Sequence, residues 1–377
     1  MRSETIKIYI MNIRESGAKY SAIVGISEKL KAMSKETGRE FLFLNRGINA
    51  VCNIDLSKVI REIDFNADKV QVYPPAKGMP ELRDAINHVY FGNKADMDDI
   101  TIIGGSTCGL DISFQSLDLE KIWLPSFFWG TYAQIMAIRN IEYDFYENLS
   151  ELTSDTQKFK NCGVVICDPG NPVGNKYDDD KLIEAVRILN DNGTIVFFDS
   201  PYRRVFFNES DTLYQDLLNM QNVIIIDSFS KSVGLSGQRI GFIHTKNKDL
   251  NKEMLIRVLF ATNGINAFAQ VLVYNLLTTE AGKKALKQFR ETTVNDIGKN
   301  IRYLSDKGLL AEKFYTDTKP LGIFVIVNRS EQELLNYNIG SVSLSYFTRQ
   351  RKEEAENYAR ICASVPHEKF RKFMEKL

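Results

Sequence analysis

The sequence predicts an α/β protein, with a large domain built on a mostly parallel central sheet and a smaller α/β domain beside it. Short apolar runs at residues 164–167, 194–198 and 223–226 alternate with helical patterns at 180–190 and 214–220. The runs are apolar nearly throughout, as strands covered on both faces by helices must be. Strand, helix, strand, helix, strand in that order gives parallel pairing with right-handed crossovers. At 377 residues the chain also exceeds one ordinary domain.

The flanking elements follow in order. Residues 19–38 carry a loose helical spacing through Ile23, Ile26, Leu30 and Met33. Pro80 stands at the start of an amphipathic pattern, where its missing N–H costs nothing. The uncharged run 258–279 is long enough to span a bilayer, but Asn263, Gly264, Asn266, Gln270 and Asn275 interrupt it, so it reads as a buried helix. Beyond residue 280 come a long charged helical stretch, an apolar run from Gly322, a polar segment and a final amphipathic helix. The expected division is a large domain over 46–280 and a small one over 1–45 with 281–377.

Composition excludes several classes. Lysine plus arginine equals aspartate plus glutamate, 48 each, so no global field draws the chain to nucleic acid or anionic lipid. Five scattered cysteines and three histidines lack metal-ligand spacing, and no metal is expected. The odd cysteine count and the absence of a signal-peptide pattern suggest the cytoplasm.

The three central runs each end on an aspartate: Asp168, Asp199 and Asp227. Ligands in such sheets sit outside the carboxyl ends of the strands, so one crowded polar rim is expected there. The third run leads into Asp227-Ser-Phe-Ser-Lys231, followed by Gly237-Gln-Arg239-Ile-Gly241. Serine hydroxyls and an arginine fork suit a phosphate dianion. A partly desolvated lysine beside them would have a depressed pKa and act as a nucleophilic amine.

This string resembles the Schiff-base signature of class I and II aminotransferases, S-x-S-K followed by G-x-R-x-G. The resemblance implies fold type I of the pyridoxal-phosphate enzymes and pyridoxal 5′-phosphate as cofactor. It makes Lys231 the covalent cofactor lysine and the base for the substrate's α-proton, with Ser228 and Arg239 as phosphate ligands. Asp199-Ser-Pro-Tyr202 looks like the family's D-x-x-Y, which places Asp199 on the pyridine nitrogen and Tyr202 on the ring's phenolic oxygen. Asp168-Pro-Gly-Asn171-Pro-Val-Gly174 resembles the N-P-T-G turn, with valine for threonine, and gives Asn171 to the same oxygen and to substrate.

The strand–helix turn holding Ser106 and Thr107 is similar to the phosphate cup, where amides at a helix start meet the phosphate. In the segment 123–129, Trp129 is the expected stacking ring, with Phe128 as the alternative. Tyr73-Pro-Pro-Ala-Lys-Gly78, with Leu82-Arg83, looks like the family's Y-x-x-x-x-G-x-x-x-L-R, and through that resemblance Tyr73 implies a homodimer with shared active sites. Tyr358-Ala-Arg-Ile-Cys-Ala363 resembles the family's R-I-S region, which gives Arg360 the substrate carboxylate, and Gly47 sits where the family has a loop glycine facing substrate. Ser345 stands where many members have glycine, a departure that bears on the shape of the substrate pocket.

What the resemblance implies is transamination between an amino acid and a 2-oxo acid. A β C–S lyase or a decarboxylase on the same fold is the alternative, because such enzymes carry the same landmarks. A regulator's effector domain is a further reading. It is disfavoured because the family-like region already begins near residue 20, leaving no space for a DNA-binding module.

Overall fold

The computed structural model describes residues 12–20, 22–207 and 211–377. Seven strands form the main sheet: β1 (Ile100–Ile103), β2 (Ile122–Pro125), β3 (Tyr143–Tyr146), β4 (Gly163–Cys167), β5 (Ile195–Asp199), β6 (Val223–Ser228) and β7 (Gly241–Thr245). Their order is β1-β7-β6-β5-β4-β2-β3. Strand β7 runs antiparallel to β1 and β6, and the remaining pairs are parallel. Every residue of β4, β6 and β7 is buried, which explains the apolar runs read at 164–167 in β4 and 223–226 in β6.

Helix α1 (Ala22–Thr37) lies inside the expected 19–38, and α2 (Pro80–Phe91) carries proline in its first turn. Three more helices follow strands in the main sheet: α3 (Ser106–Gln115), α4 (Thr131–Arg139) and α5 (Asp179–Asp191). Asp178 caps α5 by accepting from the Lys181 amide. The helix expected at 214–220 is shorter, Leu213–Leu217.

The run 258–279 is not one helix. It divides between α6 (Lys248–Thr262) and α7 (Ala267–Thr278). Asn263 and Gly264 adopt φ of 50° and 102°, left-handed values that end α6. Only α7 is deeply buried, whereas α6 presents Leu259 and Phe260 to solvent. Among the described residues no helix is long and apolar enough to cross a membrane.

Helix α8 (Glu280–Asp306) leads to a three-stranded antiparallel sheet of β8 (Phe324–Val327), β9 (Val342–Ser343) and β10 (Ala359–Cys362), ordered β8-β10-β9. Helix α9 (His367–Met374) closes the chain with an amphipathic face. A short N-terminal strand, Leu42–Phe43, pairs in parallel with Ile339–Gly340, so the N-terminal segment joins this lobe. Two main cores result, one between the seven-stranded sheet and its helices and one under the small sheet. Leu42, Leu44, Ile301, Phe324, Ile361 and Phe370 belong to the second. Helix α8 enters both, with Leu286 in the first and Ile297 and Leu304 in the second.

Candidate active site

The chain delivers the site from strand ends and from the small sheet. The register pairs Cys167 with Asp199 and Asp199 with Ile226. Side chains alternate along a strand, so Asp168 and Asp227, one residue past those partners, point away from the face that Asp199 uses. The expected rim of three aspartates is therefore a rim of one. Asp227 instead accepts from Tyr214 Oη at 2.7 Å and from the Ser228 amide at 2.6 Å. Asp168 accepts from the Tyr177 amide and pairs with Lys176 and Arg203, each at 3.2 Å.

That ion cluster has a positioning role. Arg203 forks onto Asp211 (2.6 and 2.8 Å) and onto Asp179 (2.9 and 3.0 Å). It thereby ties the loop bearing Asn171 to the segment bearing Tyr202, its chain neighbour. Asn171 Nδ2 donates to Tyr202 Oη at 3.0 Å. Burial, reinforced by Cys167 and Asp199, holds the Tyr202 hydroxyl well above its ordinary pKa, so it keeps its proton.

The antiparallel β7 folds the β6–β7 connection back on itself. Pairing of Ser228 with Gly241 brings Arg239 beside the serines and leaves Lys231 on the cleft. Arg239 donates to Ser230 Oγ at 3.3 Å, and Ser228 Oγ donates to Ser230 Oγ at 2.9 Å. Gly105, at φ 86°, opens α3 directly against this group. A Cβ there would fall 2.7 Å from an Arg239 nitrogen, so glycine keeps the cradle between helix and arginine open.

Lys231 Nζ donates to the Gly47 carbonyl. Burial first, then the charges of Arg239, Arg360 and Arg46, push its pKa below that of ordinary lysine, against an opposing contribution from Cys362. A Cβ at Gly47 would lie 2.5 Å from Phe324 Cζ, so only glycine lets this segment run so close to β8. Arg360, on the central small strand, donates to the Asn45 carbonyl at 2.7 Å and to Asn171 Oδ1 at 3.3 Å. It lies 4.3 and 4.6 Å from the Phe324 and Phe347 rings, its Nε has no partner, and no carboxylate pairs with it among the described residues. Burial pulls its pKa down to about 10. A buried cation without a counter-ion is costly, and an incoming carboxylate relieves that cost.

Asp199 is also incomplete. Its Oδ2 accepts from Tyr132 Oη at 2.5 Å, while its buried Oδ1 has no partner among the described residues. Burial raises its pKa to about 7, against the lowering effect of the tyrosine bond. Trp129 meets Tyr132 edge-on at 5.5 Å and 84°. Phe128 is fully buried against Phe145, so of the two aromatic candidates it is Trp129 that faces the cleft.

Eleven of the residues expected from sequence line one cleft of about 340 Å³: Gly47, Ser106, Thr107, Trp129, Asn171, Asp199, Tyr202, Ser228, Lys231, Arg239 and Arg360. Tyr73 does not; it is 82% exposed on the single chain. The groups not foreseen are Tyr132 and the carbonyls of Asn45 and Gly47; Ser230 was read only as one of the motif's two serines, without a role of its own. Tyr132 had a usable signal, three residues after Trp129 at the start of a helix, and Ser230 lies inside the lysine motif.

The architecture has close counterparts. Thermus thermophilus aspartate aminotransferase, solved with maleate, superposes with a TM-score of 0.80 at 19% identity, covering 97% of this chain and 99% of that one. This likeness concerns the fold. Among sequences, the aspartate aminotransferase of Pyrococcus horikoshii is 24% identical over 58% of this chain and 59% of its own length. A probable aspartate aminotransferase of Methanocaldococcus jannaschii is matched over 51% of its length, so these two relatives are spanned for little more than half. The histidinol-phosphate aminotransferase of Brachyspira hyodysenteriae is 25% identical over 71% of this chain and 79% of its own. The family described as aminotransferase class I and II matches residues 44–377, and the chain belongs to it.

Proposed function

We propose that this chain is a pyridoxal-phosphate-dependent aminotransferase that moves an amino group between an amino acid and a 2-oxo acid. The observation that carries the reading is one cleft holding a lysine of depressed pKa, a buried aspartate oxygen without a partner and a buried arginine without a counter-ion. Each gap fits one part of the cofactor or substrate. Ser106, Thr107, Ser228 and Arg239, with the amides at the start of α3, would hold the phosphate. Asp199 Oδ1 would accept a hydrogen bond from the protonated ring nitrogen, and Tyr202 with Asn171 would hold the phenolic oxygen. Trp129 would cover one ring face and exclude water.

The bound cofactor supplies an electron sink for the bond broken at the substrate's α-carbon. Arg360 orients the substrate by its carboxylate, with Gly47 leaving space beside it. Lys231, on the cleft beside the Gly47 carbonyl, would hold the cofactor and serve as general base and acid for the substrate's α-proton. The proposed division remains a large domain over 46–280 and a small one over 1–45 with 281–377, with residues 1–11, 21 and 208–210 outside the described part. Five free thiols suit a reducing cytoplasm.

The test is the absorption spectrum of purified protein with single amino acids and no 2-oxo acid. A yellow protein that bleaches while releasing stoichiometric 2-oxo acid supports transamination and names the donor. Continuous release of ammonia with the colour retained would make it a lyase. Protein that takes up no pyridoxal phosphate would overturn the reading.

Tyr73 belongs to an exposed apolar face with Val72, Phe65 and Phe260, which are 56, 50 and 85% exposed. Gly264 packs on Pro74 and Phe65 stacks on Phe268, so these segments adjoin. Such a patch on a free chain fits a homodimer in which Tyr73 reaches the neighbour's site. Phe260→Glu is expected to convert the dimer to monomer in sedimentation velocity and to weaken cofactor binding with it. A variant that sediments as the parent does would remove the assignment of this face.

A further inference from the structure

Asp199 can serve the cofactor's ring nitrogen only if one carboxylate oxygen is held still and ionised in a site that favours the neutral acid. Burial alone pushes this group toward protonation. A carboxylate also turns easily about its last torsion, a broad two-fold well. Something must choose which oxygen faces the cleft.

We propose that Tyr132 is the positioning residue of this site: its hydroxyl holds Asp199 Oδ2 so that Oδ1 faces the cofactor's ring nitrogen, and its ring braces the stacking Trp129. The inference rests on the proposed cofactor. Tyr132 is the second residue of α4, and its amide donates to the Trp129 carbonyl at 3.0 Å, which fixes the two rings three residues apart on one turn. Their edge-on contact at 5.5 Å leaves the indole face toward the cleft free to stack. The hydroxyl reaches Asp199 at 2.5 Å, a short bond of the kind made to an ionised acceptor. Burial and the Asp199 charge hold the Tyr132 proton on its oxygen, so the tyrosine only donates. One side chain thus sets both the plane of the ring and the contact at its nitrogen.

Tyr132 also forms a wall. With Asn171 it separates the cleft from a second cavity of about 270 Å³ between the lobes, lined further by Tyr146, Glu147 and Arg351. Tyr146 provides a matched control, because its buried hydroxyl donates to the Val165 carbonyl at 2.8 Å and does not touch Asp199.

The experiment compares pyridoxal-phosphate affinity and the pH dependence of binding in the parent, Tyr132→Phe, Tyr146→Phe, Asp199→Asn and the Tyr132→Phe/Asp199→Asn double variant. Phenylalanine keeps the brace on Trp129 and removes the donor. A hydrogen bond to a charged group sets the scale, so Tyr132→Phe should weaken binding about tenfold or more. Losing the donor raises the Asp199 pKa above about 7, so the binding midpoint should move to higher pH. Tyr146→Phe should change neither, and Tyr132→Phe should add nothing in the Asp199→Asn background. Parent-like affinity and pH dependence in Tyr132→Phe would overturn the proposal. So would an equal loss in Tyr146→Phe, or a double variant that loses as much again beyond Asp199→Asn alone. A parent protein that binds no cofactor fails the function itself, a result separate from all of these.

Discussion

Lys231→Ala is expected to abolish the yellow absorption of the purified protein and to lower turnover by at least about 10⁴-fold, since in the proposed function one group supplies both the nucleophilic amine and the proton transfer. The fold should survive. A partly buried amine whose pKa is depressed chiefly by burial is charged at a cost near neutral pH, and alanine removes that cost together with the bond to Gly47. Thermal unfolding of the cofactor-free variant should therefore fall within a few degrees of the parent. The check is a spectrum, a single-turnover assay and a melting curve on one preparation. A colourless variant that still turns over substrate would dismiss Lys231 from its role.

Asp199→Asn is expected to separate function from stability. Cofactor affinity and turnover should drop together, because the amide cannot pair with a protonated ring nitrogen as an anion does. The cofactor-free chain should nevertheless become more stable at pH 8. Burial raises the Asp199 pKa to about 7 from an ordinary value of 3.8, so the folded chain binds this proton more tightly than the unfolded one. Stability from that difference is complete below the unfolded pKa and is lost as pH rises through about 7. The variant's advantage should be small near pH 4 and grow to the order of a few kcal/mol by pH 8. Melting curves without cofactor at both pH values test it, and a less stable variant at pH 8 would refute the burial account. Adding pyridoxal phosphate should reverse the order, because the parent binds it more tightly than the variant and gains more stability from it.

The lysine motif and its companions were legible because their chemistry lies in side-chain type and spacing. Lys231, Arg239, Asp199 and Arg360 could be named from sequence and meet in one cleft. What sequence hid was set by register and by backbone. Asp168, Asp199 and Asp227 look equivalent as strand-end acids, yet the pairing of Cys167, Asp199 and Ile226 sends two of them to the other face. No single strand carries that information. The carbonyls that receive Arg360 and Lys231 have no residue signature at all. Tyr132 was passed over because an aromatic residue at a helix start reads as core, and its hydroxyl's target lies 67 residues away. The helix break at Asn263 and Gly264 was visible as composition, but there it served to argue against a membrane span rather than to end a helix.

The bond from Arg360 to the Asn45 carbonyl joins residues 315 apart in the chain. The seven strands of the main sheet, by contrast, are all made by residue 245. During synthesis, which proceeds from the N-terminus and lets early units fold first, the two halves of this site therefore mature at different times. The sheet can assemble around its phosphate cradle while the arginine clamp is still untranslated. The cleft is finished only when the last strand returns to the segment at Asn45, a contact that closes a loop of most of the chain.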